Sequence, residues 1–542
     1  MQQLDTQVLI IGGGATGTSL ARDLALRGVA CLLVEREDLN AGASGRNHGL
    51  LHSGARYVSN DPEAARECRL EGEVLRRIAP RCIEDTGGLF VALEGDDERF
   101  VADFPLHCAR AGIEVRPLSV AEAREMEPCL SPHAVAAYGV PDASVDPFRF
   151  SLETMADAVG HGAKLLRHTE VTGLLRAGRR VVGATLRNRL TGEEQRVTAN
   201  VVVSAAGAWA REIARMAGLD LPMLFSKGTL VVANTRLAHR VLNRLRKPSD
   251  ADIVMPGGTV SIVGTTSVTI PDLSDVRPTV AEVDRILDEA SQLVPALAHT
   301  RCIRAYAGVR PLVAAGHPSS GGPTQADGRA VSRGFTLIDH EAEGVPGLVT
   351  ITGGKLTTAR LMAERTADLV CQRLGHPAPC RTRDVPLQAA PGCEWTFAGT
   401  GPRTWMAQHN PSDVLVCECE MVQQSALDEI SASLGPSGSA LLLDLAARSR
   451  LGKGACQGTF CSLRMAAHLY ERELLRGAEG LEATLAFFRE RWRGLRPVVF
   501  GEQLSQAELF QAIHVGLLGL ELVAPARVSE GVPRVAKDPS KP

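Results

Sequence analysis

The chain has 542 residues, with 59 Lys and Arg against 62 Asp and Glu and a formal net charge of −3. A balance this even excludes nucleic acid as the main partner, because binding a phosphate backbone needs a basic excess. Hydrophobic residues at 44% and charged residues at 22% exclude a disordered or fibrous chain, and the length leaves room for about three or four cores without disulfide support.

The N-terminus, MQQLDTQVLIIGGG, has no basic start and runs straight into a strand, so no signal peptide is expected. Residues 7–11 read as a short apolar strand and Gly12 to Gly17 as a glycine turn. Leu20, Leu24 and Leu26 mark a helix that Gly28 closes, and residues 30–34 form a second strand ending at Glu35. This is a βαβ opening of the dinucleotide-binding kind. Gly12 allows the tight turn, Gly14 lets a pyrophosphate approach the backbone, and Gly17 packs helix on strand. The helix then begins at Ala15 with free N–H groups and a positive dipole end facing the pyrophosphate. Glu35, 21 residues after Gly14, is placed to accept hydrogen bonds from ribose hydroxyls and would repel a 2′-phosphate.

The next segment, residues 40–57, is dense in small residues, with His48, His52, Arg56 and Tyr57 interleaved. Such a loop suits a backbone running beside a large flat ring, which favours FAD over a nicotinamide cofactor. Later runs alternate strand-like stretches (201–203, 230–233, 262–264, 348–352) with helical ones (280–293, 360–374). Residues 348–352 lead into Gly353-Gly354-Lys355 and a helix, a suitable N-terminus for the N1–C2=O edge of a reduced flavin. Residues 201–209, a strand running into Ala206-Gly207, fit the same crevice, although alone they would read as an ordinary buried strand.

Residues 386–412 are rich in Pro, Gly and Ser and read as a linker with some structure. A cysteine-bearing unit is expected over 413–470 and a helical tail over 471–542, with 528–542 frayed. Cys417-Glu-Cys419 and Cys456-x4-Cys461 are two close pairs among 13 cysteines. Four thiolates in such pairs can enclose Zn²⁺ or a [2Fe–2S] cluster, and spacing alone does not choose. No apolar run approaches the roughly 18 residues a membrane span needs. The expected setting is cytoplasmic and reducing, where cysteines remain thiols.

GRNHGLLHSGARY (45–57), DASVDPFR (142–149), KPSDADI (247–253), RAYAGVRPLV (304–313) and ITGGKLTTARLMAE (351–364) resemble the FAD-dependent sn-glycerol-3-phosphate dehydrogenases. Within that family the whole chain is most similar to the large subunit of the bacterial anaerobic enzyme. The resemblance implies an α/β fold over 1–385: a Rossmann-like, glycine-oxidase-like FAD body interleaved with an antiparallel substrate sheet. It implies oxidation of sn-glycerol 3-phosphate, with Arg310 at the phosphate, Arg56, Tyr57 and Lys355 beside it, His52 as the base, and Lys227 near the flavin. To the FAD set it adds Arg36, Ser44, Asn47, His48, Val171, Ala206, Gly207, Gly353, Gly354, Lys355, Leu356 and Thr357.

The cysteine unit is similar to the [2Fe–2S] domain of bacterioferritin-associated ferredoxin, which favours iron over zinc. Cys456-x4-Cys461 stands where the simplest form of that motif has Cys-x2-Cys. The implied partners are a membrane-associated iron–sulfur subunit and a second flavoprotein subunit. Through them the chain would lie on the inner face of the membrane and reach a quinone. Two alternatives stand beside this reading: an amine or amino-acid dehydrogenase of the glycine-oxidase-like group, and a redox or assembly subunit without turnover.

Overall fold

The structure, a computed structural model, describes residues 2–313, 334–435 and 437–522. The first strand, Gln2–Ile11, lies between two parallel neighbours, Glu194–Ser204 and Cys31–Val34, with Lys164–Leu166 parallel beyond the latter. The strand Glu194–Ser204 is shared along its length. Its first half continues the hairpin Thr169–Ala177/Arg180–Asn188, and its second half takes Leu348–Gly353 in parallel. With Phe335–Asp339 at the edge, the sheet has eight strands. Buried apolar residues of Ala15–Leu26, Pro147–Gly160 and Ala359–Leu374 form one core with it, including Leu20, Leu24, Met155 and Met362. Asp146 caps the second of these helices, with Pro147 pre-set at its first position, a strong start signal.

A second sheet of nine strands is mostly antiparallel. Its long members, Met223–Ala233 and Cys302–Val313, pair over nearly their whole length, Ser226 opposite Arg310 and Gly228 opposite Gly308. The helix Val280–Leu293 covers one face through Val283, Ile286 and Ala290, leaving the other face toward the first sheet. The α/β body with an antiparallel second sheet is thus as the sequence implied, and the strands read at 201–203, 230–233 and 348–352 lie inside observed ones.

Residues 386–412, expected as a linker with some structure, pack against the fold: Leu387 joins the core of Leu51, Leu75 and Phe150, and Thr400–Gln408 is helical. Trp395 joins Val416, Leu427, Leu442, Met465 and Phe487 in one core. The helix Glu479–Leu495 contributes Ala483 and Phe487 to that core and Leu495 to the core of the second sheet. Apolar residues at its two ends thus pack into different bodies, which a composition reading as a charged tail could not reveal. In the last long helix, Gly501–Leu517, only Ala507 is buried, while Leu509, Ile513 and Leu517 face outward. The expected frayed end, 528–542, lies outside the described residues.

Candidate active site

One cavity of about 1750 Å³ runs between the two sheets, well above the roughly 300–1,000 Å³ of ordinary small-molecule sites. Its wall includes Glu35, Arg36 and Val171, then Gly12, Gly14, Ala15, Ser44 and Asn47, and also His48, His52, Arg56, Tyr57, Arg310 and Gly353 to Leu356. Ala206 and Gly207 line it too. A cavity of this volume has room for a dinucleotide and a small substrate.

The glycine turn is built for close approach. A Cβ at Gly17 would lie 1.9 Å from the Gly12 carbonyl oxygen, so helix and strand meet there with no room for a side chain. Gly17 therefore acts through packing and does not line the cavity. The Ala15 N–H donates to Ser44 Oγ at 2.9 Å, which ties the loop after the second strand to the helix N-terminus. Glu35 accepts from the backbone N–H groups of Gly13 (2.7 Å) and Glu37 (2.9 Å). Burial pushes its carboxyl above the usual range, against these hydrogen bonds. A carboxylate has about four acceptor positions, so two remain for ribose hydroxyls. Arg36 lies over the Trp209 ring at 4.2 Å. Turn, helix start and carboxylate together fit FAD, whose adenosine and pyrophosphate need these donors and acceptors in this order.

In the second sheet the strand Cys302–Val313 brings Arg304, Tyr306, Gly308 and Arg310 to the cavity wall, together with Ile303, Val309, Pro311 and Leu312. The Arg310 guanidinium donates to Ser226 Oγ (3.3 Å), the Thr266 carbonyl (3.2 Å) and Thr265 Oγ1. Gly228 sits under it, where a Cβ would come within 2.7 Å of that group. Arg56 pairs with fully buried Asp252 at 2.7 Å. Tyr57 Oη lies 3.4 Å from His52 Nε2, and Lys355 Nζ stands 4.6 Å from the Tyr57 ring centre. The His52 pKa is driven far below the ordinary histidine value, first by burial and then by His48, Lys355 and Arg56. A neutral imidazole among fixed cations can take a proton from a hydroxyl.

Besides Gly17, two expected residues lie off the cavity wall. Lys227 does not line the cavity; it is adjacent to Gly228 on one strand and so points to the opposite face. Its ammonium donates to Glu282 Oε2 and to the Arg277 carbonyl, both at 2.9 Å. Glu282 is also the N3 residue in the capping box of Val280–Leu293, so Lys227 is engaged in holding that helix start. Thr357 is likewise buried outside the cavity wall, and its hydroxyl accepts from the His52 backbone N–H at 3.3 Å. It supports the histidine loop from behind.

The cysteines meet as two pairs, Cys417 hydrogen-bonded to Cys461 and Cys419 to Cys456. Hydrogen bonding to Cys461 holds the Cys417 thiol below its usual range. Among the described residues no group of three or more His, Cys, Asp or Glu is arranged to hold a metal ion. Gly454 lets the second cysteine turn pass close to the first, since a Cβ there would lie 2.7 Å from that of Cys419. Arg491 is buried with its charge beside Cys456 and Cys461, and donates to Thr459 at 2.8 Å. The four thiols thus lie close together with the Arg491 cation alongside.

The profile of the FAD dependent oxidoreductase family matches residues 7–369. The chain is 45% identical to a subunit of the anaerobic glycerol-3-phosphate dehydrogenase of Escherichia coli, over 96% of this chain and 99% of that one. It is 41% identical to the same subunit from Haemophilus influenzae, over 97% and 95%. The chain belongs to the FAD-dependent oxidoreductases, in the branch of these dehydrogenase subunits. In fold it resembles the glycerol-3-phosphate dehydrogenase of Bacillus halodurans solved with FAD, with a TM-score of 0.59, 22% identity, and coverage of 92% of this chain and 96% of that one. Glycine oxidase of Geobacillus kaustophilus, with a TM-score of 0.55 and 22% identity, covers 71% of this chain and 99% of its own.

The family profile stops inside the helix Ala359–Leu374, yet residues beyond it reach the cavity. Arg450, Lys453, Gln457, Phe487 and Glu490 form part of its wall. Burial, then Arg450, brings the Lys453 ammonium down to about 7. Nothing in the local sequence marks these side chains as cavity residues, because a long-range contact brings them there. The same holds for Thr265 and Thr266, which orient Arg310. Tyr306 could have been found from the two-residue period of Arg304, Tyr306, Gly308 and Arg310.

Proposed function

We propose that the chain oxidises sn-glycerol 3-phosphate to dihydroxyacetone phosphate. The observation that carries this is the cationic set of Arg310, Arg56 and Lys355 beside neutral His48 and His52 on the wall of a dinucleotide-sized cavity. The 45% identity to the Escherichia coli dehydrogenase over nearly the whole chain supports it. Arg310 would hold the phosphate dianion, a charge for which guanidinium is suited. His52 would take the proton of the C2 hydroxyl as hydride leaves C2. FAD, when bound, supplies the hydride acceptor. The turn from Gly12 to Ala15, Glu35 and the segment from Gly353 to Leu356 would hold it.

In the same reading Cys417, Cys419, Cys456 and Cys461 would hold a [2Fe–2S] cluster, with zinc as the alternative occupant. The cluster supplies one-electron chemistry when bound. The acceptor is a quinone, reached through a membrane-associated iron–sulfur subunit and a second flavoprotein subunit. No helix among the described residues is long and apolar enough to cross a membrane. The test is anaerobic titration of the purified protein with sn-glycerol 3-phosphate, glycine, sarcosine and proline in parallel. Bleaching of the flavin by the phosphate ester alone is expected; bleaching by an amino acid instead would overturn the substrate.

A further inference from the structure

His48 is expected at the cofactor, but its hydrogen bonding gives it a narrower role. Its Nδ1 lies 3.2 Å from the backbone nitrogen of Leu50. A backbone N–H can only donate, so Nδ1 is the acceptor and the proton of the neutral ring sits on Nε2. The ring stays neutral because burial, then Arg310 and Arg56, bring its pKa down to about 3.

The turn that carries it is fixed on both sides. Leu50 pairs with Ser144 in a short antiparallel ladder. Asn47 accepts from the Gly49 N–H at 2.8 Å and donates to the Ser44 carbonyl at 2.6 Å, and its own carbonyl accepts from Tyr306 Oη at 2.9 Å. His48 lies edge-on to His52 with ring centres 5.9 Å apart, and the charges that bear on it are those of Arg310 and then Arg56. It therefore shares the cavity wall with the expected phosphate anchor and the expected base.

Resting on the reading of the site given above, we propose that His48 is a substrate-binding residue: a fixed, uncharged Nε2–H donor to a phosphate oxygen of the ester held by Arg310. With Nδ1 occupied and Nε2 protonated it cannot accept a proton, which leaves His52 as the base. Phosphate oxygens are acceptors only, so a donor that cannot reverse its role matches them and adds no further charge beside two arginines.

The test compares His48→Phe, which keeps a ring without the donor, with His48→Gln, which restores a neutral donor. Both are measured as FAD-loaded protein. Binding of inorganic phosphate, followed by calorimetry, is expected to weaken roughly tenfold in H48F, the scale of a lost hydrogen bond to a charged group. H48Q is expected to recover most of that loss. KM for sn-glycerol 3-phosphate should rise by a larger factor than kcat falls. Nitrogen-15 spectra of labelled histidine, with the His48 signal assigned by its loss in H48F, should show that ring neutral and protonated at Nε2 from pH 5 to 8. Unchanged phosphate affinity in H48F, or a proton on Nδ1, would overturn the proposal. If the wild-type flavin is not bleached by the ester, the function reading fails. The phosphate titrations still decide the role of His48, because they need no turnover.

Discussion

Arg310 is held against Ser226, Thr265 and the Thr266 carbonyl, so its position is set before any ligand arrives. Arg310→Ala should raise KM for sn-glycerol 3-phosphate about tenfold to a hundredfold, since a charge-assisted contact contributes roughly 1.5–3 kcal/mol. Steady-state rates with an artificial acceptor check this, and flavin absorbance should show FAD retained. A second prediction follows from the neutral histidines. The pKa of His48 falls from 6.5 to about 3, by burial and then by Arg310, and that of His52 falls well below 6.5, by burial and then by His48. As pH drops below 6.5 the unfolded chain takes up these protons and the folded chain does not. Stability should therefore decrease with acidification, by about 1.4 kcal/mol per pH unit for each histidine. Urea midpoints at several pH values test the sign, and replacing His48 with Gln should make the dependence shallower.

Among elements, the C-terminal unit is fastened to the FAD body by a buried ionic cluster. Arg448 binds Asp38, Arg167 binds Asp444 at 2.8 Å, and His168 Nε2 lies 2.9 Å from the same carboxylate. All of these side chains are at most 10% exposed. Removing one partner leaves buried charge uncompensated, at a cost of about 3–5 kcal/mol. Asp444→Ala should lower Tm and speed hydrogen exchange in Leu441–Arg448 and Cys461–Glu471 before the first sheet is affected. Equal acceleration in the first sheet would show that the two bodies unfold together. The local elements are legible where pattern and punctuation agree: the glycine turn with Glu35, and Val280–Leu293 with its Thr279/Glu282 box. Sequence period cannot tell which face of Met223–Ala233 meets the cavity, and so the expectation for Lys227 fails. The cluster of Asp38, Arg167 and Asp444 joins residues hundreds of positions apart, with no local signal to mark it.

In the whole molecule, the cavity touches both the substrate end and the turn that carries Cys456, through Lys453 and Gln457. Cys456→Ser should remove the iron–sulfur signal and uncouple acceptor reduction, while substrate still bleaches the flavin. Metal analysis and electron paramagnetic resonance of the reduced protein check the first part, and zinc without iron in the wild type would contradict it. The central claim is that neutral His52 takes the hydroxyl proton while hydride leaves C2 at a site anchored by Arg310. Anaerobic stopped-flow with sn-glycerol 3-phosphate deuterated at C2 tests it most directly, through the flavin's visible absorbance. The account predicts rapid bleaching that deuterium slows, and a loss of about a hundredfold or more in His52→Gln, within the range for general-base catalysis. No bleaching by the ester, or a His52→Gln rate equal to wild type, would contradict it.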